Sequence, residues 1–449
     1  MSFDRAYREA IDYLYALQKH GIKLALSNSL ALMSLMGDPH RKFRSVHVAG
    51  TNGKGSTSSF IASMLQTAGY RVGLYTSPHL VGFTERIRIN TALITEAKVA
   101  ELAGRVRDAA RKAEGPGGKV AFSPTFFEVA TAMAFTYFAE EGVDIAVIEV
   151  GMGGRLDSTN VITPLVSVIT NIELEHTEFL GTTLAQIAGE KAGVIKQEVP
   201  VVTGATQQEV ISVIEQEASV RKAGVYRLSK DFMQVPVASQ RAQVFDYRGI
   251  ESSYEKIRIN MLGGYQVDNA CLALATIECL RIAGLIVDEA AVRRGLEQAR
   301  WEGRLELVSR KPDIYLDGAH NPASARKLAA TVREMKPAYR RTVLIIGILQ
   351  DKDWQGIIAA LAPLADHVVV TKPQYSRAME VRELASEVRK LHGSVETAET
   401  VGEAIALAGD KVTSEDLVLI TGSLYVVGDA RAVFHPEAGL SGALTGLKG

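Results

Sequence analysis

The sequence predicts an α/β protein, with a mostly parallel sheet in an N-terminal domain and a smaller, Rossmann-like α/β domain at the C-terminus. Two observations carry this. Short apolar runs alternate with longer stretches of helical spacing, and the alternation stops and then restarts after Trp301. Strands that alternate with helices imply parallel pairing and right-handed crossovers.

The run Val46 to Ala49 reads as a strand leading into a glycine-rich turn, with a helix from about Gly55 to Ala68 ended by Gly69. Arg71 to Tyr75 is the next strand, and Thr125 to Glu141 has helical spacing, with Phe126, Val129, Ala130, Met133 and Phe138 on one side. Val143 to Val150 is almost continuously apolar, as a strand covered on both faces should be. Val166 to Thr170 and, more briefly, Val199 to Thr203 repeat that character. From Arg227 to Asn260 the alternation is shorter and more polar, which predicts a small antiparallel insertion before a helix over Asp268 to Ala283. The second series has candidate strands at Ile314–Leu316, Thr342–Ile346, His367–Thr371 and Leu417–Thr421, so the expected domains are 1–299 and 300–449. Glu114 to Gly118, rich in glycine, reads as a loop.

The balance of 50 basic and 51 acidic residues argues against a strongly basic nucleic-acid binder. The two cysteines, Cys271 and Cys279, lie in an apolar run; they are no disulfide framework and fit a reducing compartment. No apolar run approaches the ~20 residues that cross a bilayer, and the first residues carry no apolar signal core. Cytoplasm is therefore expected, and a monomer is the default because no heptads appear.

The sharpest local signal is Gly50-Thr51-Asn52-Gly53-Lys54-Gly55-Ser56-Thr57, between a predicted strand and a predicted helix. Glycines let backbone N–H groups turn inward onto a polyanion, and the helix N-terminus adds positive potential. Lys54 would meet the β/γ-phosphates, and Ser56 or Thr57 could bind Mg²⁺. The loop departs from a strict Walker A pattern, with Val48 in place of the first glycine and Gly55 where Ser or Thr follows the lysine. Its context still predicts a P-loop mononucleotide-binding domain.

Ligands of open parallel sheets bind beyond the carboxyl ends of the strands, and polar clusters fall there repeatedly. Ser77-Pro78-His79 follows the second strand; Glu149 ends the third; Asn171, Glu173, Glu175 and His176 follow the fourth. A carboxylate ending an apolar strand is costly unless paired or on a metal. Mg²⁺ beside a phosphate loop is one partner for Glu149, and Arg155 is the alternative. Taken alone, Lys191 looks like a solvated helix lysine and His176 like a surface histidine. In the second domain, Asp317-Gly318-Ala319-His320 and Thr421-Gly422-Ser423-Leu424-Tyr425 occupy strand ends of the same type, suggesting a cleft between domains.

These segments together resemble the Mur ligase superfamily, and specifically folylpolyglutamate synthase/dihydrofolate synthase. The matching segments, in family order, are GTNGKGS (50–56), SPHL (77–80), FTERI (83–87), FFEVATAMAF (126–135), EVGMGGRLDSTN (149–160), TNIELEHTEFLG (170–181), EKAGVIK (190–196), GRLEL (303–307), DGAHNP (317–322) and TGSLY (421–425). The resemblance implies an ATP-dependent ligase that adds L-glutamate to a pterin carboxylate through an acyl phosphate. It implies that Gly53, Lys54, Gly55 and Ser56 cradle the ATP phosphates. Ser77, Glu149 and His176 would hold Mg²⁺, with Mn²⁺ tolerated, and Lys191 would be carbamylated. Asn269 matches a nucleotide-contacting residue; Arg304, Asp317 and His320 match residues that close onto ATP or glutamate. Ser423 and Tyr425 are similar to part of the glutamate pocket, and Phe83, Arg86 and Phe127 to the pterin side. Catalysis would fall to Lys54, Lys191, His176, Asp317 and His320. The partners implied are small molecules, with neither nucleic acid nor membrane.

The sequence departs from the family pattern at Gly264-Tyr265-Gln266, where Gly-x-His-Gln is usual, at Asn90-Thr91, and at Glu175, where Asp is common. Competing readings are another Mur-type amino-acid ligase, against which FTERI and FFEVATAMAF tilt, and a P-loop NTPase switch that turns over ATP without glutamate or folate.

Overall fold

The computed structural model describes residues 3–21, 25–113, 122–237 and 243–436. The expected loop at Glu114–Gly118 lies outside them. The chain divides into two compact units. One takes in residues up to 79 together with 83–260 and 266–300; the other takes in 80–82, 261–265 and the chain from 301 on.

In the first unit, eight strands form one sheet in the order β4-β3-β2-β5-β1-β6-β7-β8. In chain order these are β1 Arg44–Ala49, β2 Val72–Tyr75, β3 Ile87–Ile89, β4 Ala92–Leu93, β5 Ile145–Glu149, β6 Val166–Ile169, β7 Val201–Thr203 and β8 Val225–Arg227. Pairing is parallel from β2 to β8 and antiparallel only through β3 and β4. Every residue of β5 is buried, as its unbroken apolar run requires. The helix Phe126–Glu140 packs beside it and starts with a reciprocal cap. Thr125 Oγ1 accepts from the Glu128 amide, and the Glu128 carboxylate accepts from the Thr125 amide. Three more strands, β9 Met233–Pro236, β10 Gln243–Arg248 and β11 Ser253–Ile259, form the small antiparallel sheet expected in this region. Glu278, on the helix Gly264–Ile282, anchors their turn: its carboxylate accepts from Tyr247 Oη at 2.8 Å and from the amides of Ile250, Glu251 and Ser252. That helix also buries Cys271 and Cys279, both free thiols. The N-terminal helices Phe3–Ala16 and Ser27–Leu35 and the helix Glu96–Ala113 were not anticipated from the sequence.

The second unit holds the order β12-β13-β17-β14-β15-β16. Its strands are β12 Glu306–Ser309, β13 Asp313–Leu316, β14 Thr342–Ile346, β15 His367–Val370, β16 Val395–Thr397 and β17 Leu417–Thr421. All pair in parallel except β12 with β13. The carboxyl ends of β13, β17, β14 and β15 thus lie side by side. Residues 80–82 join this unit by close packing, for a Cβ on Gly428 would collide with the Leu80 carbonyl. No helix among the described residues is long and apolar enough to cross a membrane.

Beneath the first sheet's carboxyl edge, His47 is fully buried on β1 and its Nε2 meets Thr159 Oγ1 at 2.8 Å. Burial, with a smaller effect from Lys196, pushes its imidazole from 6.5 down to about 3. The folded state therefore holds it neutral while the unfolded chain binds a proton below 6.5. Stability from this group is present above that pH and falls by about 1.4 kcal/mol per pH unit toward 3. In urea titrations at pH 6.5 and pH 5, the wild type should lose about 2 kcal/mol more than His47→Gln; equal losses would show that His47 does not drive acid lability.

Candidate nucleotide and ligase site

The helix Lys54–Thr67 begins without a capping side chain, and its N-cap residue, Gly53, has φ +86°. Its first amides are thus left for an anion. The loop before it is shaped by the segment after β6. The Thr51 amide donates to the Asn171 carbonyl at 2.8 Å, and the Asn52 amide to Asn171 Oδ1 at 3.0 Å. The Asn52 carbonyl accepts from Thr170 Oγ1 and Asn171 Nδ2 at 2.7 and 2.9 Å. Both key glycines are sterically required, since a Cβ on Gly50 would strike Thr170 Oγ1 and one on Gly53 would strike Asn269 Oδ1. Asn269 is buried, and its Nδ2 donates to Gln266 Oε1 at 2.9 Å, which turns its oxygen toward Gly53. Gly55 and Ser56 are buried in the first helical turn.

Two lysines converge on this loop. Lys54 Nζ donates to the carbonyls of Gly50 and Thr51, each at 3.0 Å, and Lys191 Nζ donates to the Gly50 carbonyl at 2.8 Å. Lys191 is 2% exposed, so the reading of a solvated lysine is wrong. Burial first, then the charge of Lys54, lowers its ammonium to about 7, with Glu175 and Asp157 opposing. Its position is fixed by the loop after β5. Asn160 Nδ2 donates to the carbonyls of Arg155 and Gly193 at 2.9 and 3.0 Å, and a Cβ on Gly154 would collide with the carbonyls of Glu190 and Lys191.

Glu149 is buried at the end of β5, and its Oε2 accepts from the Ser77 amide at 3.2 Å. Arg155 is not its partner; that guanidinium pairs with Glu190. His176 lies in the exposed loop after β6, with left-handed backbone at φ 49°, and its Nε2 is 3.8 Å from Glu175. Among the described residues no three His, Cys, Asp or Glu side chains group as a metal cage. Mg²⁺ is a hard cation that keeps waters and phosphate oxygens and takes only one or two protein carboxylates, and the buried Glu149 carboxylate is of the type it takes.

Phe83 and Arg86 meet in an aromatic cluster that the sequence did not reveal in full. The Arg86 guanidinium lies 5.1 Å from the Phe126 ring centre, Phe83 packs edge-on to Phe126, and Tyr15 stacks on Phe126. Arg86 Nε donates to His79 Nδ1 at 2.7 Å. Burial, with the Arg86 charge second, holds His79 well below its usual pKa, so the ring stays neutral and accepts. Phe127 is apart from this cluster; it stacks on Tyr75, and a Cβ on Gly151 would strike its ring. SPHL had marked His79, but nothing singled out Tyr15 on its amphipathic helix.

In the second unit, Asp317 is buried at the end of β13 and accepts from the Leu305 and Ala319 amides, each at 2.9 Å. The departure at Tyr265 acts here, because its hydroxyl bonds to the Asp317 carboxylate. Burial raises Asp317, while Arg304 and the amide donors pull it back. A Cβ on Gly318 would strike the Arg304 guanidinium, and His320 Nδ1 meets the Gly318 carbonyl at 2.8 Å. Ser423 caps the helix Leu424–Phe434 by accepting from the Val426 amide at 3.1 Å. Tyr425 stacks on Tyr375 with ring centres 3.9 Å apart.

Residues 48–277 match the Mur ligase middle domain and residues 303–424 the Mur ligase glutamate ligase domain. A dihydrofolate synthase/folylpolyglutamate synthase of Bacillus subtilis is 39% identical over 95% of this chain and 98% of its own length. Mycobacterium tuberculosis folylpolyglutamate synthase complexed with ADP superposes with TM-score 0.87 and 35% identity, over 96% of this chain and 99% of that one. E. coli FolC in complex with DHPP and ADP gives 0.84 and 30%, over 95% and 98%.

Gly53→Ala places a Cβ against Asn269 and forces an alanine to positive φ, so affinity for a non-hydrolysable MgATP analogue should fall about tenfold or more. Isothermal titration tests it; affinity within twofold of wild type would exclude this loop as the nucleotide site.

Proposed function

The chain belongs to the folylpolyglutamate/dihydrofolate synthases of the Mur ligase family, and from that premise we propose how its own residues carry the reaction. It is an ATP-dependent ligase that joins L-glutamate to a folate or pterin carboxylate. The observation that carries the residue assignment is the glycine loop on whose Gly50 carbonyl Lys54 and Lys191 converge.

In this reading the substrate carboxylate oxygen attacks the γ-phosphorus of ATP and ADP leaves. The glutamate amine then attacks the acyl carbon of the acyl phosphate; inorganic phosphate departs, the nitrogen loses a proton and an amide remains. The loop amides and Lys54 hold the phosphates and offset the charge that spreads during transfer, so catalysis is mainly positioning and electrostatics. Ser77, Glu149 and His176 are the residues that would hold Mg²⁺ or Mn²⁺, which supplies further phosphate charge neutralisation when bound. Asn269 orients the loop; Arg304, Asp317 and His320 serve nucleotide or glutamate; Ser423 and Tyr425 line the amino-acid pocket. Phe83, Arg86 and Phe127 serve the pterin side.

The surroundings of Lys191 support the carbamylation that the family resemblance implies. Only a neutral amine adds CO₂, and burial together with the Lys54 charge lowers the Lys191 ammonium toward the neutral form. The product would reverse the charge beside the Gly50 carbonyl and supply an anionic oxygen. The two buried thiols favour a cytoplasmic enzyme, and a single working chain is the simplest assembly.

Lys54→Ala should reduce glutamate-dependent phosphate release on the order of 10²–10³-fold; turnover near wild type would remove Lys54 from the phosphate site. Lys191→Ala should lose activity that short carboxylic acids partly restore, and ¹³C-bicarbonate should give a carbamate resonance in the wild type alone. Full activity of Lys191→Ala would refute the carbamate. Comparing dihydropteroate with tetrahydrofolate as acceptor identifies the pterin acid.

A further inference from the structure

One group of side chains in the first unit is hydrogen-bonded in a single direction. Arg86 is buried, at 7% exposure, and its Nε donates to His79 Nδ1 at 2.7 Å. His79 Nε2 lies 3.3 Å from the hydroxyl of Tyr15, on the N-terminal helix Phe3–Ala16. Aromatic rings close the group. Tyr15 stacks on Phe126 with ring centres 5.9 Å apart, Phe83 meets both Phe126 and His79 edge-on, and the Arg86 guanidinium lies over the Phe126 ring. The family resemblance gives a role to Phe83 and Arg86 but none to Tyr15 or His79.

A guanidinium only donates, so its bond to His79 makes Nδ1 a bare acceptor. The neutral imidazole then carries its proton on Nε2, and the Tyr15 hydroxyl oxygen accepts it. The other tautomer would set two N–H groups against each other, and a protonated ring would set two cations against each other. The electrostatics agree. Burial, then the Arg86 charge, holds the His79 ring well below its usual pKa, and burial raises the Tyr15 hydroxyl. One arrangement of protons thus satisfies the run from Arg86 through His79 to Tyr15, and it persists across neutral pH. A cation–π contact tolerates rotation of the guanidinium over the ring, whereas a bond at Nε fixes which edge of the fork is used. A carboxylate in the place of His79 would orient Arg86 and also cancel its charge. A neutral imidazole orients it and leaves the charge to act on a ligand.

We propose that His79, braced by Tyr15, is a positioning residue that orients the Arg86 guanidinium for the folate or pterin acid. Tyr15 acts one step further back, by accepting from the imidazole and packing on Phe126. The inference rests on the reading of Arg86 as a residue of that substrate's side and adds the two residues that set its direction.

The test is steady-state kinetics of the full-length enzyme with each substrate varied in turn, the acid being whichever of dihydropteroate and tetrahydrofolate the wild type uses. His79→Leu should raise KM for the acid about tenfold, the loss expected for a hydrogen bond to a charged group, with KM for MgATP and for glutamate within about twofold. His79→Asn, whose side-chain oxygen can stand in for Nδ1, should recover most of that loss. Tyr15→Phe keeps the stack on Phe126 and removes the acceptor, and should raise the same KM by about two- to fivefold. Adding His79→Leu to Arg86→Met should change the KM by less than about twofold beyond Arg86→Met alone, because both act through one guanidinium. A wild-type KM for the acid in His79→Leu, an equal rise in all three KM values, or additive effects in the double variant would overturn the proposal. An unchanged KM in Arg86→Met would defeat the reading of Arg86 itself, and the proposal with it.

Discussion

The candidate site in the first unit depends on how the chain between β1 and its helix is held open. Thr170 and Asn171 take the Asn52 carbonyl, Asn171 also takes the Thr51 and Asn52 amides, and the helix that follows starts without a side-chain cap. Two glycines make this possible, one against Thr170 and one against Asn269, and neither position admits a Cβ. Without that constraint the loop could not enter the helix as it does, and the helix N-terminus would lose its use as an anion site.

The same loop brings two ammonium groups to one carbonyl, which is electrostatically expensive. Lys54 remains near solvent, whereas Lys191 is enclosed and is the group whose proton affinity drops. The cost is localised on the enclosed lysine. The loop after β5 completes this arrangement. Asn160 bridges it to the turn following Lys191, and Gly154 lets the two backbones touch.

The second unit solves a related problem with different means. Asp317 is buried and would be unfavourable as an anion, but two amides, the Tyr265 hydroxyl and nearby Arg304 surround it. Gly347 and Gly422 let the ends of β14, β15 and β17 approach closely, because a Cβ on either would meet a neighbouring carbonyl. The loops that leave those ends are therefore crowded together, which is how Tyr375 comes to lie on Tyr425.

Much of this was legible from sequence. The almost continuous apolar run Val143–Val150, short and preceded by a glycine, reads as a strand covered on both faces, and glycine spacing around Lys54 announced the loop through local backbone rules. Polar residues at strand ends pointed to Glu149, Asp317 and Tyr425 because a parallel sheet collects them on one edge. Tertiary packing alone decided the rest. Lys191 lies on the buried face of the helix Leu184–Ala192, but the partners of its ammonium come from residues 50 and 54, far away in the chain. Tyr15 and Tyr265 are likewise defined by partners on other elements, and Arg155 pairs with Glu190 rather than Glu149 for the same reason. Periodicity and turn chemistry are local and can be read in order, whereas desolvation and side-chain pairing depend on which distant segments share a volume.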